Sequence, residues 1–377
     1  MRAALREPHP NGALWVAAVG KAAAAMAQGA HEALGAAIQH TLVITRDAAS
    51  CAAVRGLPHV EVLLGAHPLP DERSLNAGAR LLRWVRELPA GVEPLFLISG
   101  GASSLVEVLR PGVTLESLRA LNQAALSEGL SIGEFNARRI ALSAIKGGRL
   151  AAALAGRPGR ALFISDVPQD DPAVIGSGLM GAAAGAADHI ERTIVASIDD
   201  AVAAVAAAAT SLGLSVHAPR RRFADSAPRV AARCAHELSL QPAQLCVWGG
   251  ESTVTLPERP GRGGRNQHLA LAAARLIAGH PELLLLAAGT DGSDGVTEDA
   301  GALVDADTCA RVALAELDAD ACLQRADSAA ALAASGDLVH TGPTGTNVGD
   351  LVIGLKLTLE AARALPTLRG GAAARVL

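Results

Sequence analysis

An α/β fold of two domains, each a mainly parallel sheet covered by helices, is predicted by three observations. Short runs rich in Val, Leu and Ile alternate with Ala-rich segments of helical length, which is the pattern of buried strands joined by crossover helices. The chain has 377 residues, long for a single core. Its residues are 50% apolar but only 2% aromatic, with no Tyr, so Ala, Val and Leu must fill the interior, as suits helices packed on a sheet.

The apolar runs place strands, in order, at 14–19 (LWVAAV), 41–45 (TLVIT), 60–64 (VEVLL), 95–99 (LFLIS), 161–165 (ALFIS), 244–248 (QLCVW), 283–288 (LLLLAA), 337–341 (DLVHT) and 350–355 (DLVIGL). The segments between them give helices at 22–39, 71–88, 115–128, 134–155, 198–212, 226–239, 265–279, 306–316 and 319–334. The polar stretch APRRRFADSAPRV, at 218–230 and carrying two prolines, is the best domain junction. It divides the chain into a Rossmann-like domain over 1–220 and a second α/β domain over 221–377.

Bulk properties exclude several classes. A net charge of -4 argues against nucleic acid as a partner. The start, MRAALREPHPNG, lacks the apolar segment of a secretory signal, and the weakly apolar stretch 201–216 is too short to span a bilayer. Five cysteines, odd in number and without a CxxC pair, fit a reduced compartment and neither a zinc site nor a disulfide framework. A cytoplasmic protein acting on a small molecule is expected, with homodimerisation left open.

Almost every expected strand ends in a cluster of Gly, Asp, Ser or Thr. In open α/β sheets ligands bind beyond the carboxyl ends of strands, so the clusters should gather at one or two clefts. Lysine scarcity singles out two of the segments. Against thirty arginines the chain has three lysines, and Lys21 and Lys146 stand beside glycines. Gly20 and Lys21 lie between the first strand and a helix, where free N–H groups and an ammonium would hold an anion. Ser99, Gly100, Gly101 and Ser103, in SGGASS, suit a phosphate and equally an ordinary tight turn. GGRNQ opens a helix with Arg265, a second candidate anion nest. Asp291 and Asp294 in GTDGSDG, and Asp166 in SDVPQDD, are candidates for binding Mg²⁺ or for proton transfer. Thr341, Gly342, Thr344, Gly345, Thr346 and Asn347 form the densest cluster and read as a ligand loop. This inventory has no Ser-His-Asp arrangement, reactive Cys or His cluster. It suits phosphoryl transfer, which needs positioning and charge stabilisation.

The stretches GKAA (20–23), HPLPDERS (67–74), SGGASSL (99–105), IKGGRLA (145–151), SDVPQDDPAVIGSG (165–178), GGESTVT (249–255), GRGGRNQ (261–267), TDGSDGVTEDAGALVD (290–305) and TGPTGTNVGDL (341–351) resemble the glycerate 2-kinases of the MOFRL type, in the family's order. The resemblance implies ATP- and Mg²⁺-dependent phosphorylation of the 2-hydroxyl of D-glycerate, or of a closely related hydroxy acid, in a cleft between two domains. It implies that Lys21 and Arg265 correspond to the family's active-site lysine and arginine. Beside these, Asp291 is the expected catalytic carboxylate and Asp166 and Asp294 the expected metal ligands. Gly20, the SGGASS residues, Lys146 and the 341–347 loop are the expected nucleotide contacts. Several positions depart from the family pattern: Ile140 and Ala141 replace a Lys-His pair, Ala102 a glycine, Gln169 a glycine and His268 a glutamate. Two alternatives remain open, a hydroxypyruvate reductase and a non-catalytic hydroxy-acid-binding protein. The first would call for a GxGxxG fingerprint in the turn directly after a strand, where none occurs.

Overall fold

The computed structural model describes residue 5 and residues 12–46, 48–127, 132–183, 185 and 188–357. Two compact units emerge. The first comprises Met1–Ser197 with Gly345–Asn347, and the second Ile198–Thr344 with Val348–Leu377. The division at 197/198 lies ahead of the expected junction at 220/221, because helix Ile198–Ser211 packs on strands of the second unit.

In the first unit the strands are β1 (Leu14–Val19), β2 (Ile38–Thr45), β3 (Val60–Leu64), β4 (Glu93–Ile98), β5 (Gly159–Ile164) and β6 (Ile190–Ala196). They form one sheet in the order β3-β2-β1-β4-β5-β6, parallel throughout. Helices α1 (Ala23–Leu34), α2 (Glu72–Arg86), α3 (Ala102–Leu105), α4 (Leu115–Ser127), α5 (Ile132–Leu142) and α6 (Arg149–Ala152) complete it. Alternate residues of each strand feed opposite cores, as a period of two requires. Val16, Ala18, Val43, Leu95 and Leu97 pack with α1, while Ala17, Val19, Leu42, Ile44, Phe96 and Ile98 pack with Leu81 and Trp84 of α2. Each large side chain so buried contributes roughly 1.5–3 kcal/mol. The expected helix 134–155 is instead α5 and α6, interrupted at Gly147 and Gly148, both at positive φ.

The second unit holds α7 (Ile198–Ser211), β7 (Val216–His217), α8 (Ala227–Leu240), β8 (Leu245–Gly250), α9 (Arg265–Ile277), β9 (Leu283–Gly289), β10 (Gly301–Val304), α10 (Thr308–Leu314), α11 (Ala319–Gln324), α12 (Ser328–Ser335), β11 (Leu338–Val339) and β12 (Asp350–Lys356). Its sheet order is β11-β10-β9-β12-β8-β7. Strands β7, β8, β9 and β11 run one way and β10 and β12 the other. The sheet is therefore mixed. Most of its strands share a direction, as expected, but β12 lies between β8 and β9 and makes antiparallel pairs with both. That reversal has a consequence for the site: Asp350, at the start of β12, pairs with Gly250 and Gly289 at the ends of β8 and β9. Helix α9 is buried along most of its length against this sheet. No helix among the described residues is long and apolar enough to cross a membrane.

Candidate active site

In the first unit, the strand order reverses between β1 and β4, and the turns after these strands are laced together. The Ser99 amide donates to the Val19 carbonyl (3.0 Å) and the Lys21 amide to the Gly100 carbonyl (2.9 Å). Gly20 has φ +135°, and a Cβ there would run into the Ser99 hydroxyl and carbonyl, so only glycine lets the two turns approach. The buried Ser99 hydroxyl accepts from the Ala22 amide (3.1 Å), and the Ala23 amide donates to Gly20. These bonds correct two expectations. Ser99 holds the start of α1, and that helix end offers fewer amides to an anion than its sequence suggests.

Polar and charged side chains surround the Gly100–Gly101 turn. A Cβ on Gly101 (φ +85°) would sit 3.0 Å from His67 Cδ2, 3.2 Å from its Nε2 and 3.4 Å from Lys21 Cγ. A Cβ on Gly100 would overlap the Asp166 carboxylate and sit 3.6 Å from Asn347 Nδ2. Lys21, Asp166 and Asn347 are thus brought together as expected. His67 joins them although only its motif, HPLPDERS, had marked it. Ser103 faces elsewhere, its hydroxyl 2.8 Å from that of Ser177, which donates to Asn136 (3.0 Å). Lys146 is fully buried and donates to Glu107 (2.5 Å) and to the Val106 carbonyl (2.9 Å). The nucleotide contact expected of it is replaced by this ion pair.

In the second unit, Arg265 is the first residue of α9 and is held by two carboxylates. Its Nε and Nη2 donate to Asp350 (2.5 and 3.1 Å), and Nη1 lies 2.6 Å from Glu251. Asp350 is nearly inaccessible, whereas the arginine side chain keeps 37% of its surface. Burial works against the guanidinium charge, but the bonds and charges of Asp350 and Glu251 outweigh it, and its pKa is raised. Sequence reasoning missed both carboxylates; their signals were the GGEST and NVGDL motifs.

Asp294 is not placed to ligate a metal. Its oxygens accept from the Asn266 amide (3.1 Å) and the Gln267 amide (2.7 Å), capping α9. The anion nest proposed for GGRNQ is therefore filled by a carboxylate of the same unit, which a Cβ on Gly264 would displace. Burial pushes the Asp294 pKa up to about 6 despite these bonds. Asp291 is half-buried, and one of its oxygens accepts from the Ser293 amide and hydroxyl (both 3.1 Å). Thr344 and Gly349 bond to this turn: the Thr344 hydroxyl donates to the Thr290 carbonyl (2.6 Å), the Thr344 amide to the Asp291 carbonyl (3.2 Å) and the Thr290 hydroxyl to the Gly349 carbonyl (2.7 Å). Thr341 turns back on the Gly342 carbonyl (2.9 Å). Gly345, Thr346 and Asn347 belong to the first unit.

Residues 2–214 match a family described as a domain of unknown function, DUF4147, and residues 244–350 match the MOFRL family. The chain is 34% identical to the D-glycerate 2-kinase of Thermotoga maritima, covering 90% of this chain and 89% of that protein. It is 36% identical to an Agrobacterium vitis protein with the provisional name hydroxypyruvate reductase, covering 91% and 87%. The crystal structure of glycerate kinase from Thermotoga maritima superposes with a TM-score of 0.80 at 32% identity, over 92% of each chain.

Proposed function

Because this chain belongs to the glycerate 2-kinase family built from the DUF4147 and MOFRL domains, we propose that it phosphorylates the 2-hydroxyl of D-glycerate or a closely related small hydroxy acid at the expense of ATP. The observation that carries the reading is Lys21, laid over the Gly100–Gly101 turn at the reversal point of a parallel sheet, where ligands of such sheets bind. In the transfer, a bond forms between the acceptor oxygen and the γ-phosphorus while the bond to the β,γ-bridging oxygen breaks. Lys21 supplies a mobile point charge for the transferring group, and the forked Arg265 suits a phosphate or carboxylate. Asp291 is the carboxylate to orient the acceptor hydroxyl and take its proton, since both oxygens of Asp294 are engaged by backbone amides.

Among the described residues no three His, Cys, Asp or Glu side chains form a metal cage. Mg²⁺ carried by a nucleotide needs only one or two carboxylates besides phosphate oxygens, and Asp166 beside Gly100 fits that demand. Bound there, the ion would neutralise charge on the phosphates. A hydroxypyruvate reductase reading shares the relative's name but has no dinucleotide fingerprint in the β1 turn, where the sequence is Val19-Gly20-Lys21-Ala22. ADP release with ATP, Mg²⁺ and D-glycerate should fall at least about 100-fold in Lys21→Ala. Equal rates in the two proteins would remove Lys21 from the mechanism, and NADH oxidation with hydroxypyruvate would replace the reading altogether.

A further inference from the structure

Three motif segments of the first unit, 67–74, 99–105 and 145–151, are joined by one buried chain of polar contacts. The Ser74 hydroxyl accepts from the Ala66 amide (3.1 Å), next to His67, and the Ser74 carbonyl accepts from the Glu107 amide (3.0 Å). The Glu107 carboxylate, 1% exposed, accepts from Ser143 Oγ and from Lys146 Nζ, each at 2.5 Å. Lys146 Nζ, with no exposed surface, also donates to Val106, the residue that ends α3 and follows the SGGASS turn. Beyond Lys146, the Gly147 amide donates to the Ser177 carbonyl (3.0 Å), and Ser177 returns to Ser103 through its hydroxyl.

A wholly buried ion pair is poorly explained as a source of stability, because desolvation of the two charges offsets much of their attraction and an apolar pair of similar volume does as well. What such a pair does supply is geometry. Both ends are fixed, and breaking either leaves a buried charge. We propose that the Glu107–Lys146 ion pair is a positioning device for the catalytic turn, holding Gly100–Gly101 and the His67 segment in register with Lys21 without touching substrate. The inference rests on the kinase reading of that turn.

The charged groups facing Lys146 are Glu107, beyond α3, and Arg139 on α5, itself bonded to Asn122 (2.9 Å). Burial lowers the Lys146 pKa to about 8, with Glu107 opposing and Arg139 assisting. Loss of that proton would break the direct ion pair with Glu107, so activity should fall on an alkaline limb near pH 8 while the chain stays folded.

The test measures melting temperature, kcat and KM for D-glycerate in the wild type, Glu107→Gln, Lys146→Met and the double variant, from about pH 7 to about pH 10. Each single variant should melt lower, and the double variant should recover in part, because neither member of the pair is stranded and only Arg139 loses the nearby Glu107 charge. Its kcat should nevertheless be lower by at least about tenfold, and it should lack the alkaline limb. A double variant with wild-type kcat overturns the proposal, as does a wild-type profile flat to about pH 10. Should the double variant not fold, Ser143→Ala removes one of the three donors to the Glu107 carboxylate, the others being Lys146 Nζ and the Val108 amide, and keeps the ion pair; an unchanged kcat and an unmoved limb in that protein would equally sink the idea. Absence of wild-type turnover would remove the kinase reading instead. ATP affinity of the same proteins then decides, and equal affinities reject positioning.

Discussion

Asp294 shows how a residue's environment overrides what its type suggests. In a Gly-rich turn three residues from Asp291 it reads as a metal ligand, yet it is buried and spends its oxygens on the first amides of α9. Its folded pKa is about 6 against an ordinary 3.8, so the folded state holds the proton more tightly than the unfolded chain. The stability this contributes is fully present below about pH 3.8 and is lost as pH rises through about 6. Thermal melts of the wild type and Asp294→Asn should therefore diverge with pH. The advantage of the wild type should shrink by on the order of 2–3 kcal/mol between about pH 4 and about pH 7, and a parallel pair of curves would show the burial penalty to be absent. Other departures from the family pattern are also accounted for by packing. Ala102 is wholly buried in the first unit's core, and Ile140 packs where a Cβ of Gly147 would stand. For His268, buried with its pKa lowered by desolvation, and for exposed Gln169, nothing in the structure explains the exchange.

At the scale of elements, the turns after β1 and β4 are one assembly. Gly20→Ala should cost about 2–4 kcal/mol in chemical denaturation, since it strains a positive φ and drives a methyl into the Ser99 backbone. The loss of activity should exceed that of stability at permissive temperature, because Lys21 is displaced with the turn. A variant as stable as the wild type would mean that the two turns can separate without strain. Most elements were legible in the sequence because long apolar runs and Ala-rich segments carry their period plainly. Strand β6 was not, since Glu191 and Arg192 interrupt IERTIVA, and β10 was hidden inside the Gly- and Asp-rich stretch that precedes it. The helix expected over 134–155 failed for a nonlocal reason. The Arg149 guanidinium gathers the carbonyls of Ile140, Ser143 and Lys146, while Gly147 and Gly148 dock on the carbonyls of Ser177 and Gly178.

For the whole molecule, each compact unit has its own apolar core, that of the second built on α8, α9 and Trp248. Residues 198–377 expressed alone should consequently melt cooperatively, as followed by circular dichroism. A gradual, noncooperative loss of signal would show that this core is insufficient without the rest of the chain.

Order of motifs and the alternation of apolar runs, both local properties, were enough to establish two α/β units and the family. Which charges are buried and paired was decided only by tertiary structure. Lys21 and Lys146 have the same neighbours in sequence, a glycine on one side and an apolar residue on the other. One lies over the Gly100–Gly101 turn, and the other is wholly buried and bonded to Glu107. Likewise Glu251 and Asp350 reach Arg265 because β12 runs antiparallel between β8 and β9. The reason is physical: the energy of a charge depends on its burial and its partners, and partners distant in sequence leave no periodic signal in the chain.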